Sequence, residues 1–348
     1  MIRLWGVALL MALFGQADKA MADVSYSLVS FEQLTGWEED DHQKALDVFL
    51  NTCRDINDPE WRTLCDFAQT SPNAREFFEL FFQPVLMEDG DDMLFTGYFE
   101  PELRGARRRG GIYQYPLYRL PDDFVSGRPY LTRQEIEQSD ALEGKGLEIA
   151  WLANPVDAFF LQVQGSGRVR LPDGGTIRVG YAGKNGHEYS SVGQELVRRG
   201  VYEPHQVSAD VIRSYVAKNP DTGRRLLWVN KSYVFFREVS EVPADAGPLG
   251  AMNRSITTLR SIAVDPSIVR LGAPVWIDKH GANPVKRLMI AQDTGSAIKG
   301  AQRADIFYGT GEDAGRTAGR IKDGGRMVVL LPIQMAYAKV PQTQESTE

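Results

Sequence analysis

The stretch LMIAQDTGSAIKGAQRADIFYGTGEDAGRTAG, residues 288–319, decides how the chain is read. An apolar run, Leu288 to Ala291, leads to an acid, Asp293, and turns through Gly295. Lys299 then precedes Gly300. A second acid, Asp305, stands before another apolar run, Ile306 to Tyr308, and glycines follow at 309, 311, 315 and 319. Two acids at strand ends, with glycines that let backbones approach closely, form the pattern of a carboxylate site on a β scaffold. Turn capping and surface ion pairing are the competing roles for the same two aspartates.

Around this block the spacing predicts further short strands at 257–264, 275–278, 287–292, 306–308 and 327–331. Glycine turns and little helix between them point to a barrel rather than a doubly wound sheet. A link rich in proline and glycine, Val242 to Gly250, precedes them and reads as a domain boundary. Upstream of the link, Ala158 to Gln164 reads as a strand whose period of two turns Gln162 and Gln164 to one side, toward a ligand groove. Ser166 and Gly167 end it. A hairpin follows, Arg168–Leu171 and Thr176–Val179 around Asp173-Gly174-Gly175, and then a long polar loop over 181–189. Asp40 or Asp41 can cap a first helix through Leu50, with further helices at 61–67, after Pro72, a short one behind a Thr132/Glu135 capping box, and one at 207–217. The aromatic residues Phe77, Phe78, Phe81 and Phe82 read as core.

The chain has 348 residues, enough for two domains, and a net charge of −7. That balance argues against a nucleic-acid partner, and the Arg107–Arg109 run reads as a solvated loop. Arg3, the apolar run Leu4–Phe14 and the small residues Gly15 and Ala17 form the pattern of a secretory signal within residues 1–20, cleaved after Ala17 or, less favourably, after Ala20. No cysteine follows the signal, so the expectation is export to the periplasm without a lipid anchor. In that compartment the two cysteines, Cys53 and Cys65, can form a disulfide; two buried thiols are the alternative. Four histidines and two cysteines supply no zinc-site spacing, and P-loop, dinucleotide, metalloprotease and nucleophile-elbow motifs are missing. No metal and no cofactor is expected.

What remains is acids, amides, hydroxyls and tyrosines, the set that carbohydrate chemistry uses. A glycosidic oxygen leaves poorly unless it is protonated, so one carboxyl must hold a proton until the transition state. Asp293 and Asp305 are the candidates for that acid, with Glu100 and Asp278 behind them.

Several stretches, taken together, resemble the membrane-bound lytic transglycosylase A family: Phe31–Ala45, Thr96-Gly97-Tyr98-Phe99-Glu100-Pro101, Phe160–Gly167, Gly183–Tyr189, Asn230–Phe236 and the block from Asp293 to Gly319. That last block resembles the 3D domain, named for three aspartates, here Asp278, Asp293 and Asp305. The resemblance implies a mainly β protein with N-terminal helices: a double-psi β-barrel, a second, inserted β-barrel-like domain, and a glycan groove between them. It divides the chain into the signal (1–20), the helices and start of the barrel (21–104), the insert (105–240), the rest of the barrel (241–335) and a disordered tail (336–348).

The same resemblance implies cleavage of peptidoglycan glycan strands between N-acetylmuramic acid and N-acetylglucosamine, with the muramoyl C6 hydroxyl as nucleophile and a 1,6-anhydro product. It makes Asp305 the single acid and base and Asp293 its support. Thr96, Tyr98, Gln162, Gln164, Ser166, Gly167 and Lys299 become substrate contacts. A monomer is expected, with cell-wall synthesis or division proteins as possible partners. The alternatives are a glycosidase that uses water and a non-catalytic peptidoglycan-binding protein.

Overall fold

The computed structural model describes residues 24–340, so the signal segment and the last eight residues lie outside it. Short polar side chains start its helical end. Asp41 accepts from the Lys44 N–H, Asp58 from Glu60, and Asn73 from Arg75 and Glu76. Each satisfies N–H groups that a first helical turn leaves open.

After strand β1 (Ser25–Leu28) they open α1 (His42–Thr52), α2 (Pro59–Thr70) and α3 (Ala74–Phe81). Then come β2 (Phe82–Glu88), β3 (Leu94–Glu100), β4 (Glu102–Ala106), β5 (Tyr115–Tyr118), α4 (Arg133–Gln138), β6 (Glu148–Leu152), α5 (Pro155–Gln164), β7 (Gly167–Arg170) and β8 (Thr176–Lys184). Helices α6 (Val192–Arg198), α7 (Ala209–Lys218) and α8 (Pro220–Leu227) lead to β9 (Val234–Glu238). The last part holds β10 (Ser261–Ala263), β11 (Pro274–Lys279), β12 (Val285–Asp293), β13 (Arg303–Thr310), α9 (Glu312–Ala318), β14 (Lys322–Asp323), β15 (Gly325–Pro332) and α10 (Ile333–Lys339).

Two mixed sheets result. One has nine strands in the order β1-β2-β15-β11-β12-β10-β13-β3-β14. Its pairings are antiparallel except β10 with β12 and β13 with β3. The other has six, in the order β5-β6-β4-β7-β8-β9, and a parallel bridge from Arg119 to Phe236 brings its two ends together. The first sheet and helices α1–α3 share one core, in which Phe49 packs 6.0–6.4 Å from Trp61, Phe77, Phe78 and Phe82. A disulfide, Cys53–Cys65, ties the end of α1 to α2.

Where β3 runs into β4 the chain passes from one sheet to the other, and Glu100 marks the crossing. Its carboxylate is fully buried between Arg178 (Nε to Oε1 2.8 Å) and Arg168 (Nε to Oε2 2.9 Å). The same guanidinium groups donate to the carbonyls of Pro243, Ala244 and Ala246, so the link back to the first sheet is held at the same point.

Four expectations change. Residues 158–164 are helix, not strand: Asn154 caps α5, Pro155 occupies its first turn, and Gly165 ends it in the left-handed region at φ 80°. Gln162 and Gln164 therefore do not share a strand face. The polar segment 181–189 begins as sheet, because β8 continues to Lys184 against β9. The tail does not start at 336, since α10 runs to Lys339 and buries Ala336. The first sheet is also an open ladder rather than a closed ring, with β1 and β14 at its edges among the described residues.

Candidate active site

Strand register brings the acids of the 288–319 block together. Ala263 on β10 pairs with Asp293 on one side and with Asp305 on the other. Asp305 pairs in turn with Thr96 of β3, and Thr96 with Lys322 of β14. Paired positions project their side chains from the same face of a sheet, so Asp293, Asp305 and Thr96 form one row. Tyr98, two residues along β3 from Thr96, joins that face.

The two carboxyls are held differently. Asp293 is fully engaged: its Oδ1 accepts from the N–H groups of Ala251 (3.0 Å) and Thr294 (2.9 Å), and its Oδ2 from the Tyr98 hydroxyl (3.1 Å). Asp305 accepts at Oδ1 from the Thr96 hydroxyl (2.8 Å), while no donor among the described residues reaches its Oδ2. Close approach of α9 shapes the floor. A Cβ on Gly97 would lie 2.8 Å from Ala318 Cα and 2.9 Å from the Tyr308 ring, so only glycine fits between Thr96 and Tyr98.

Both acids are half-buried and closely walled by protein. Burial pushes the Asp305 carboxyl from its ordinary 3.8 up to about 6, against the Thr96 hydrogen bond and the Arg303 charge. Burial also raises Asp293 to about 6, opposed by the Thr294, Tyr98 and Ala251 donors and reinforced by Asp305. Burial and the two neighbouring carboxylates hold the Tyr98 hydroxyl well above its usual range. A carboxyl near 6 can hold a proton close to neutral pH and still release it, as an acid that also serves as base requires.

The raised value has a consequence for stability. Between pH 3.8 and about 6 the folded chain binds the Asp305 proton more tightly than the unfolded chain does. The contribution of this group is therefore complete below about pH 4 and is lost as pH rises through about 6. Asp305→Asn keeps an acceptor for Thr96 and has no charge to desolvate. It is expected to stabilise the fold by about 1–3 kcal/mol at about pH 7.5, partial exposure trimming the upper figure, and by nothing at about pH 4. Urea melts at the two pH values read this directly, and an equal gain at both would assign the effect to something other than titration.

The other expected site residues separate. Thr96 and Tyr98 lie against the acids. Gln164 reaches the same strand from α5, its Oε1 accepting from the Phe99 N–H (3.1 Å), and Ser166 sits half-buried in the turn after it. Gln162 points elsewhere and accepts from the buried Arg133 (2.6 Å) in the core of the second sheet's layer. Gly167 is a packing position, since a Cβ there would lie 2.4 Å from Leu161. Lys299 is largely exposed and pairs with Asp265 (3.4 Å) rather than with either acid. Glu100 is the buried clasp between the sheets. Asp278 pairs across β11 and β12 with Lys286, and the seven residues from there to Asp293 span about 20 Å of strand.

Two features of the site were not singled out from sequence. The backbone donors of Ala251 and Thr294 carry no side-chain signal. Arg303, which donates to Thr96 Oγ1 (2.8 Å), does: it lies two residues before Asp305, on the same strand face.

Residues 94–237 match the family model of the MltA specific insert domain, and residues 260–331 match that of the 3D domain. A membrane-bound lytic murein transglycosylase A of Vibrio cholerae serotype O1 is 33% identical over 306 residues, covering 82% of this chain and 80% of that protein. Among solved structures, a membrane-bound lytic murein transglycosylase from Agrobacterium tumefaciens superposes with a TM-score of 0.80 at 33% identity, over 90% of this chain and 99% of that one. The E. coli MltA with bound chitohexaose gives 0.71 at 30% identity, over 88% and 94%.

Proposed function

The chain belongs to the membrane-bound lytic murein transglycosylase A family, and from that premise we propose that it cleaves peptidoglycan glycan strands without water. The bond cut is the β-1,4 link between N-acetylmuramic acid and N-acetylglucosamine. Asp305 is the acid and base, and the product ends in a 1,6-anhydromuramoyl residue. The observation that carries this reading is the contrast between the carboxyls: Asp293 has both oxygens occupied, whereas Asp305 Oδ2 meets no donor among the described residues.

Neutral Asp305 gives the proton on Oδ2 to the 4-oxygen of N-acetylglucosamine as the C1–O4 bond breaks. The C6 hydroxyl oxygen of the same muramoyl residue bonds to C1, and its proton passes to the Asp305 carboxylate. The acid is regenerated and no water is consumed. An attacking hydroxyl already on the substrate has the proximity advantage of an intramolecular reaction. One carboxyl acts twice, so a second one at glycosidase spacing is not needed. Asp293, with Tyr98 as its donor, places negative charge beside the carbon where positive charge develops. Thr96 and Tyr98 form one wall of the glycan groove, and Gln164 and Ser166 approach from the insert, which we place at 105–240 between the two parts of the catalytic body, 21–104 and 241–335.

We read the parallel pairings β10–β12 and β13–β3 as the core of the double-psi arrangement that the family resemblance implies. A peptidoglycan substrate implies action in the cell envelope, and we take segment 1–20 as the export signal. No helix among the described residues is long and apolar enough to cross a membrane. The test is digestion of purified sacculi. Released muropeptides carry anhydro ends with no rise in reducing ends; a matching rise in reducing ends would identify a hydrolase, and no release a binding protein.

A further inference from the structure

Thr96 stands between two groups that fix its hydroxyl. Arg303 Nη2 donates to Thr96 Oγ1 at 2.8 Å, and Thr96 Oγ1 donates to Asp305 Oδ1 at 2.8 Å. A hydroxyl has one proton, so a donor on its oxygen directs that proton to an acceptor elsewhere. The guanidinium is itself anchored, with Nη1 donating to the carbonyls of Ala304 (2.7 Å) and Leu94 (3.3 Å). It forms no ion pair with the Asp305 carboxylate, so its contact with the acid runs through Thr96.

We propose that Arg303 is a positioning residue for the acid: it turns the Thr96 proton onto Asp305 Oδ1 and so reserves Oδ2 as the atom that carries and delivers the catalytic proton. Without Arg303 the threonine is free to rotate and accept from a proton on Oδ1, which leaves the proton on the wrong oxygen. This inference rests on the reading of Asp305 as the acid.

Arg303 also contributes charge, since its guanidinium and the Thr96 bond both pull the Asp305 carboxyl down against burial. The other titratable groups around Asp305 are Asp293 of β12, Tyr98 of β3, Tyr308 of β13, and Lys322 and Asp323 of β14. Strand β10 brings none. On α9, Arg316 is paired with Glu312 and Asp313. Among these, Arg303 is the cation whose charge acts on Asp305.

The experiment compares Arg303→Gln, Arg303→Lys and Thr96→Val with the native enzyme. It uses the pH dependence of muropeptide release and a carbon NMR titration of the Asp305 carboxyl without substrate. Arg303→Gln is expected to lower kcat about ten- to a hundredfold with KM nearly unchanged. It should also move both the alkaline limb and the carboxyl titration to higher pH. Arg303→Lys restores the charge and returns both toward native values. Thr96→Val moves the carboxyl upward as well and carries the test if Arg303→Gln does not fold. Slower turnover with the limb and the titration unmoved makes Arg303 a structural residue and overturns the proposal. A fully active Asp305→Asn enzyme is a different result: it removes the acid assignment, whereas the substrate-free titration still reports on the Arg303–Thr96–Asp305 chain.

Discussion

Asp305→Ala is expected to lower the rate of muropeptide release from sacculi by at least about a thousandfold. A positioned general acid or base is worth about 10²–10⁴ in rate, and this carboxyl is asked to act in both capacities. Its loss cannot be covered by Asp293. That carboxylate is one β10 position away across the sheet, and its oxygens already accept from Ala251, Thr294 and Tyr98. Binding should survive, because Thr96 and Tyr98 remain on β3 and Gln164 remains on α5, so the loss belongs in kcat more than in KM. Asp305→Asn should be as inactive as the alanine variant while being the more stable protein near neutral pH, a separation that damage to the fold cannot imitate. Retention of more than about a tenth of the native rate would move the acid to Asp293.

The largest loss of stability is expected from Glu100→Gln. Glu100 is 0% exposed, and its oxygens take Arg178 in a two-pronged contact (2.8 and 3.0 Å), Arg168 (2.9 Å) and the Thr310 hydroxyl (2.8 Å). Neutralising the carboxylate leaves two guanidinium groups in a buried site without their counter-charge, a change that costs about 3–5 kcal/mol. Because Arg168 and Arg178 also hold the carbonyls of 243–246, the damage should extend to the link between the sheets. Urea unfolding measures the loss, and hydrogen exchange at the amides of 244–246 shows where it falls. A loss below about 1 kcal/mol would mean that water already solvates the pair. Activity should fall as well, since Glu100 ends the strand that carries Thr96 and Tyr98.

The acids were legible in sequence because each stands at the end or start of an apolar run, where a strand meets a turn. The helix caps at Asp41 and Thr132 and the paired strands 168–171 and 176–179 were legible for the same kind of local reason. Residues 158–164 misled because FFLQVQ alternates like a strand over a few positions. Asn154-Pro155 before it and Gly165 after it were the stronger signals, and they belong to a helix. Glu100 could be singled out as an acid but not as a clasp, since its partners lie 68 and 78 residues further along. The difference between Asp293 and Asp305 was out of reach. It depends on two backbone N–H groups brought to Asp293 by loops, and on a hydroxyl brought to Asp305 by a parallel neighbour more than two hundred residues away.

The most direct measurement is digestion of sacculi in water enriched in oxygen-18, with mass analysis of the released muropeptides. The account predicts 1,6-anhydro ends with no heavy oxygen at C1, and neither product from Asp305→Ala. Reducing ends that carry the heavy isotope would mean that water, rather than the C6 hydroxyl, attacks C1, and would contradict it.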